Sequence, residues 1–269
     1  MKKTINKTIA LVGDVHGYHH RMVSLLCGVE KKKQLKIDQI LQVGDFEAHR
    51  DEDDLSTMAA PNKYRNLGDF NQYYSGQSNY PWPVHFIGGN HEPYGWYDEY
   101  VDGGELTTNC HYIGRVGDVE ISGHKVVGLS GIYHPEKFYE SRPLVKDIRV
   151  EPNKNYTYYT VDDVEKAMSY KECDILLLHD WPNKIIDPKD YFSLQGRHRS
   201  NFPEDIGNEY TFMLIEELKP KVVACGHMHY KYRNSITIGS NVTEICCMAN
   251  IESGNDAVIL LNEDLEVIE

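Results

Sequence analysis

The chain has 269 residues, 41% of them hydrophobic and 26% charged, and carries a formal net charge of −13 at pH 7. That is enough apolar material for a substantial core, while no apolar run approaches the roughly 18 residues of a membrane span. So acidic a chain argues against non-specific polyanion binding, which draws on many Lys and Arg contacts to phosphate, but not against a phosphate substrate whose charge is met by metal ions.

In chain order, "MKKTINKTIALVGD" offers only a short apolar stretch before Gly13, too short for a signal peptide. It reads as the first strand of a mature cytoplasmic protein. Further strands are expected at "DQILQVGD", "VHFIGGN", "HYIG", "VVGLSG", "DILLLHD" and "KVVACGH". Three more, "SITIGS", "VTEICCMA" and "DAVILLN", close the chain. Helices are expected over His19–Lys33, Leu55–Tyr64, Val161–Tyr170 and Glu209–Leu218, with Thr160 as an N-cap and Asp163 three residues on. Alternating strand and helix predicts an α/β fold with both sheet faces covered. The closing strands predict a second sheet or a mixed edge. With no repeat or linker, residues 1–269 read as one domain. Ile132–Tyr159 is irregular, polar and Tyr-rich, a length of structureless chain that is usually functional. The six cysteines form no CxxC and no regular framework, which points to a reducing compartment.

The chemistry lies at the strand ends: "GDVHG", "VGDFEA", "FIGGNHE", "LLLHD" and "CGHMH". Ligand sites in open α/β sheets sit at the carboxyl edge. These ends deliver Asp14, His16, Asp45, Asn90, His91, His179, His227 and His229 there. Any one ending is commonplace, a helix cap or a surface histidine, but the five in order point to a metal site. Asp, Asn and His without Cys suit Mn, Fe or Zn. So many side chains able to ligate exceed what one tetrahedral ion takes, so two divalent ions are implied. Such a pair activates a water for in-line attack at phosphorus. "HEPYG" is not H-E-x-x-H, "GLSGI" lacks nucleophile-elbow spacing, and there is no Walker A sequence.

With these residues assembled, the chain resembles the calcineurin-like metallophosphoesterases. The resemblance implies an αββα sandwich, two packed mixed β-sheets flanked by helices. It also implies residue roles: Asp14, His16 and His229 on one metal, Asn90, His179 and His227 on the other, and Asp45 bridging. His91 is then the non-ligand histidine that protonates the leaving oxygen. More narrowly, "MAAPNKYRNLGDFNQYYSG" (Met58 to Gly76), "FIGGNHE", "GLSGIYH" and "LLLHDWP" resemble the RNA lariat debranching enzymes. These cleave 2′,5′-phosphodiester bonds in branched RNA, and they usually carry Cys where this chain has Asp14. The resemblance makes branched RNA the expected substrate and Ile132–Tyr159 the loop that reads it. Lys63, Tyr64, Arg65, Lys137 and Arg142 are the expected substrate contacts, with Lys146 and Arg149 further candidates. A general phosphodiesterase or phosphatase acting on small phosphoesters is the alternative.

Overall fold

The computed structural model describes residues 7–194 and 206–269. From the start of the chain the elements are β1 (Ile9–Val12), α1 (His19–Lys33), β2 (Gln39–Gln42), α2 (Glu52–Ser56), α3 (Phe70–Tyr74), β3 (Val84–Phe86) and α4 (Tyr94–Tyr97). Next come β4 (Gly104–Thr107), β5 (Cys110–Tyr112), β6 (Val116–Ile121), β7 (His124–Leu129), α5 (Val161–Met168), β8 (Ile175–Leu178) and α6 (Tyr191–Leu194). The last are α7 (Glu209–Leu218), β9 (Val222–Cys225), β10 (Tyr232–Ile238), β11 (Asn241–Cys247) and β12 (Val258–Leu261).

The strands form two six-stranded sheets, ordered β12-β1-β2-β3-β5-β4 and β10-β11-β9-β8-β7-β6. In both, four parallel strands are flanked by an antiparallel strand at each edge. Strand periodicity explains how they pack. Ile9 and Leu11, Leu41 and Val43, Ile175 and Leu177 point into a shared layer between the sheets. Their alternates face outward, where Ala10 and Val12 meet Met22 and Leu26 of α1. On the other sheet Leu176 and Leu178 meet Val164 of α5 and Ile215 of α7. Helix α1 buries His19, Met22, Leu26 and Val29, the i, i+3, i+7 spacing of a single face. Two of the expected helices, α1 and α7, have the bounds expected from sequence. The Thr160 capping box starts α5 as anticipated, though the helix ends at Met168.

Three expectations need correction. Leu55–Tyr64 is not one helix. Asp51 accepts from the amides of Asp53 and Asp54 and so starts α2 earlier, at Glu52. Pro61 follows, and the residue before a proline is driven out of the helical region. The chain resumes only as a 3₁₀ turn over Asn62–Tyr64. Of the two arrangements expected for the closing strands, the mixed edge holds and a sheet of their own does not: β10 is the antiparallel edge of the second sheet, which β11 also joins, while β12 returns to pair antiparallel with β1 at the edge of the first. Finally, β4 and β6 were not foreseen. Strand β6, "VGDVEI", is an edge strand with polar outward positions. It is bound to β7 by a two-residue turn at Ser122 and Gly123, both with positive φ, as a type I′ hairpin requires.

Ile132–Tyr159 is irregular as expected, with 3₁₀ turns at Val145–Asp147 and Asn153–Tyr156. Its ends are tied together by Ile132 N–H to the Thr157 carbonyl and Tyr159 N–H to the Ile132 carbonyl. Its far part rests on the α2 segment: Arg149 faces Asp53 at 3.7 Å, and Asn153 donates to the Ser56 carbonyl at 3.0 Å. All six cysteines are free, five of them buried. Among the described residues no helix is long and apolar enough to cross a membrane.

Candidate metal centre

Three strands of the first sheet (β1, β2, β3) and two of the second (β8, β9) end at one place, the junction between the sheets. Their following residues carry every predicted ligand. Asp14, His16, Asp45 and His229 place a ligand atom each within 4.8 Å of one another. His16 Nε2 and His229 Nε2 are 2.9 Å apart, and His229 Nε2 is 3.0 Å from Asp14 Oδ2. On the other side of Asp45, His179 Nε2 lies 3.4 Å from Asp45 Oδ1 and 3.1 Å from Asn90 Oδ1. The His227 ring is 5.0 Å from that of His179. His179 donates its Nδ1–H to the Val43 carbonyl at 2.8 Å, so Nε2 is the nitrogen turned toward the centre, against Asn90 and Asp45.

Two features of the backbone make this packing possible. His16, Asp45, Glu47, His227 and His229 all have φ between 50° and 64°, a region that costs a non-glycine residue about 1–3 kcal/mol and recurs at functional sites. Close approach also needs missing side chains. A Cβ on Gly89 would sit 2.2 Å from Asp45 Oδ1, and one on Gly226 would sit 2.2 Å from Asp14 Oδ1. Amides then reach the carboxylates directly: His91 N–H donates to Asp45 Oδ1 at 2.8 Å, and His227 N–H to both oxygens of Asp14 at 3.1 Å.

The electrostatics call for cations. Asp14, Asp45, Glu47 and Glu92 are each at most 2% exposed. The ion-pair partners of the first three are histidines. Burial alone would raise Asp45, yet the facing His179 and His91 hold it well below the usual carboxylate range. Burial opposes charge on His179 and His16 too. The Asp45 carboxylate nevertheless pushes His179 up to about 10, and a hydrogen bond to Glu47 pushes His16 up to about 9. Burial prevails at the other groups: it lowers His91 and His227, and it pushes Glu47 up to about 8 and Glu92 up to about 7. This donor set of N and O atoms without sulfur fits divalent Mn, Fe or Zn.

Two residues absent from the sequence-based site belong to it. Glu92 accepts from the amides of Phe46, Glu47 and Gly89 at 2.8–3.0 Å, clamping the turn after β2 to the turn after β3. Glu47 accepts from His16 Nδ1 at 2.7 Å and lies 3.9 Å from His91 Nδ1. The only signal for them in the sequence was a Glu inside "GDFEA" and another ending "GGNHE"; their burial came from tertiary packing.

A cleft of about 720 Å³ opens onto this centre, lined by His16, His91 and His229 together with Tyr18, Lys63, Tyr64, Arg65 and Asn250. Lys63, Tyr64 and Arg65 therefore share a wall with the centre. Arg65 is occupied, donating to the Ala60 and Met58 carbonyls, whereas Tyr64 is exposed with Lys63 Nζ 4.5 Å over its ring. Lys137 and Arg142 do not line the cleft. Lys137 pairs with Glu140 at 2.7 Å. Arg142 is drawn inward to Asp163, the carboxylate of the α5 capping box, and to the Tyr158 carbonyl. Among the described residues, none of 132–159 is part of the lining of this cleft.

A family model of calcineurin-like phosphoesterases matches residues 7–231, and the chain belongs to that family. Within it, the chain is 35% identical over 240 residues to a lariat debranching enzyme of Arabidopsis thaliana, covering 87% of this chain and 57% of that one. It is 33% identical to one from Entamoeba histolytica (83% and 64% covered) and 30% identical to one from Saccharomyces cerevisiae (85% and 58% covered). The chain thus spans about three-fifths of the length of these relatives. A solved crystal structure matches over 98% of both chains at a TM-score of 0.58 with 13% identity, a likeness of fold alone.

The close approach at Gly226 makes a testable demand. Gly226→Ala should abolish tight Mn²⁺ binding in isothermal titration, because the added carbon and the Asp14 carboxylate cannot share the space. Gly28→Ala, whose Cβ meets nothing within 4 Å on the exposed side of α1, should leave binding intact and stabilise the protein by roughly 0.5–1 kcal/mol.

Proposed function

We propose that this chain is a binuclear metal-dependent phosphodiesterase that cleaves 2′,5′-phosphodiester bonds in branched RNA. The observation that carries the metal-dependent part is the cluster of Asp14, His16, Asp45 and His229 within 4.8 Å, with His179 and Asn90 against the far side of Asp45. The substrate rests on the similarity to lariat debranching enzymes. Asp14, His16 and His229 would hold one ion, Asn90, His179 and His227 the other, with Asp45 shared. When bound, two divalent ions (Mn, Fe or Zn) supply Lewis-acid charge for phosphate oxygens and a water acidic enough to attack near neutral pH. The chain's own part is to orient and to transfer a proton. His91, pinned through its amide to Asp45 and facing the cleft, donates a proton to the 2′ oxygen as the P–O2′ bond breaks. The water's oxygen becomes part of the 5′-phosphate product. Exposed Tyr64 and Tyr18, on the cleft wall, offer ring faces to unpaired bases, a contact worth about 1–3 kcal/mol per base. Free buried thiols suit a reducing compartment such as the cytoplasm.

A second reading, a diesterase of small phosphoesters, is favoured by the modest basicity of the cleft. Lys63 and Arg65 line it, but so do Glu47 and Glu252, and Arg65 is already occupied. A side-by-side assay with Mn²⁺ separates the two. Faster cleavage of a 2′,5′-branched oligonucleotide than of a linear 3′,5′ one supports debranching; equal rates would remove it and leave the general diesterase.

Two variants test the roles. Asp45→Ala should lower metal content at both positions, whereas Asp14→Ala should loosen mainly one. A single tightly bound ion in the parent protein under saturating Mn²⁺ would contradict the binuclear assignment. His91→Ala should keep near-normal metal content and lose about 10²–10⁴-fold in turnover, the usual contribution of general acid catalysis. That loss should shrink for a nitrophenyl diester, whose leaving group needs little protonation. Loss of metal instead would show that His91 is a ligand.

A further inference from the structure

Glu47 is an acid of the centre that none of the proposed roles uses, and unlike Glu92 it faces two of the site's imidazoles. It is 2% exposed, sits on a left-handed backbone (φ 54°), and has its own amide held by Glu92 at 2.8 Å. Its placement is therefore imposed from two directions and at some cost in strain. The carboxylate sits between two imidazoles of different roles. Oε1 accepts from His16 Nδ1 at 2.7 Å and lies 3.9 Å from His91 Nδ1, and the two rings meet edge-on with centroids 5.6 Å apart. His16 turns its other nitrogen, Nε2, toward His229 and Asp14, at 2.9 and 4.0 Å. An imidazole that donates one N–H to a carboxylate has its other nitrogen bare and its ring angle set, which is how outer carboxylates aim metal-binding histidines.

We infer that Glu47 is a positioning residue serving both halves of the reaction: it holds His16 with Nε2 toward the metal and steadies His91 beside the leaving oxygen. This rests on the proposed roles of His16 as ligand and His91 as acid. One carboxylate then couples the ligand shell to the proton donor, so the angle of one ring constrains the other.

The test compares Glu47→Ala with the isosteric Glu47→Gln, which keeps an acceptor oxygen for the His16 N–H but removes the charge. Mn²⁺ affinity by isothermal titration should fall about 10–100-fold in Glu47→Ala, the usual effect of losing such a partner, and recover in large part in Glu47→Gln. Turnover in Glu47→Ala should fall further for a diester with a sugar leaving group than for a nitrophenyl diester, as a misplaced His91 requires. In the Zn²⁺-loaded parent, ¹⁵N spectra of the histidines should show His16 protonated at Nδ1, a readout that does not depend on either variant folding. Unchanged affinity in Glu47→Ala, equal losses in both variants, or His16 lacking its Nδ1 proton would each overturn the inference. The parent is measured alongside. If it binds no Mn²⁺, the proposed function fails and takes this inference with it. If it binds metal and turns over while the variants match it, only the role of Glu47 falls.

Discussion

Four carboxylates buried at the junction of two sheets set the terms for the rest of this structure. Asp14, Asp45, Glu47 and Glu92 are almost wholly withdrawn from water, and a buried charge is costly unless something nearby answers it. Here the answer comes from backbone amides and imidazoles. Glu92 takes three amides and binds two turns together. Asp45 and Asp14 each take the amide of a residue that itself carries a site histidine. The left-handed backbone at His16, Asp45, Glu47, His227 and His229 is the conformational consequence of aiming so many polar groups at one point.

The two sheets make that aim rigid. Each contributes parallel strands whose carboxyl ends converge, and hydrogen bonds cross from one to the other near the centre. His179 of the second sheet bonds to Val43 after β2, and Gly88 after β3 donates to Ser130 after β7. The apolar layer of Leu11, Leu41, Val43, Ile87, Ile175, Leu177 and Ala224 lies beneath. Interiors packed to crystal-like density transmit strain rather than absorb it, so a strained loop seated on this layer keeps its shape.

What could be read in the sequence was what local chemistry decides. Helix α1 was legible over its full span, and its buried face proves to be Met22, Leu26 and Val29; α5 was legible through the Thr160 cap. The strand ends declared themselves through Gly followed by Asp, Asn or His. Tertiary packing decided the rest. Asp51 and Pro61 divided an apparent helix. The polar outer face of β6 hid an edge strand, because only its inward positions needed to be apolar. Arg142 looked like a free cation beside a loop, but the capping box of α5 had already claimed it through Asp163. Glu47 and Glu92 were ordinary polar residues in sequence and became central only once burial removed their water.

The pairing of β12 with β1, Ile9 opposite Leu261 and Val12 opposite Val258, has a consequence for how the molecule is made. During synthesis the first strand emerges early, while its neighbour on the β12 side lies nearly 250 residues downstream. At translation rates of roughly 5–20 residues per second, that flank of β1 waits on the order of 12–50 s with its amides and carbonyls unmatched. Such an edge can recruit a neighbouring chain. The nascent protein therefore carries an open strand edge for most of the time that the cluster at the sheet junction, completed only at His229, is still being made.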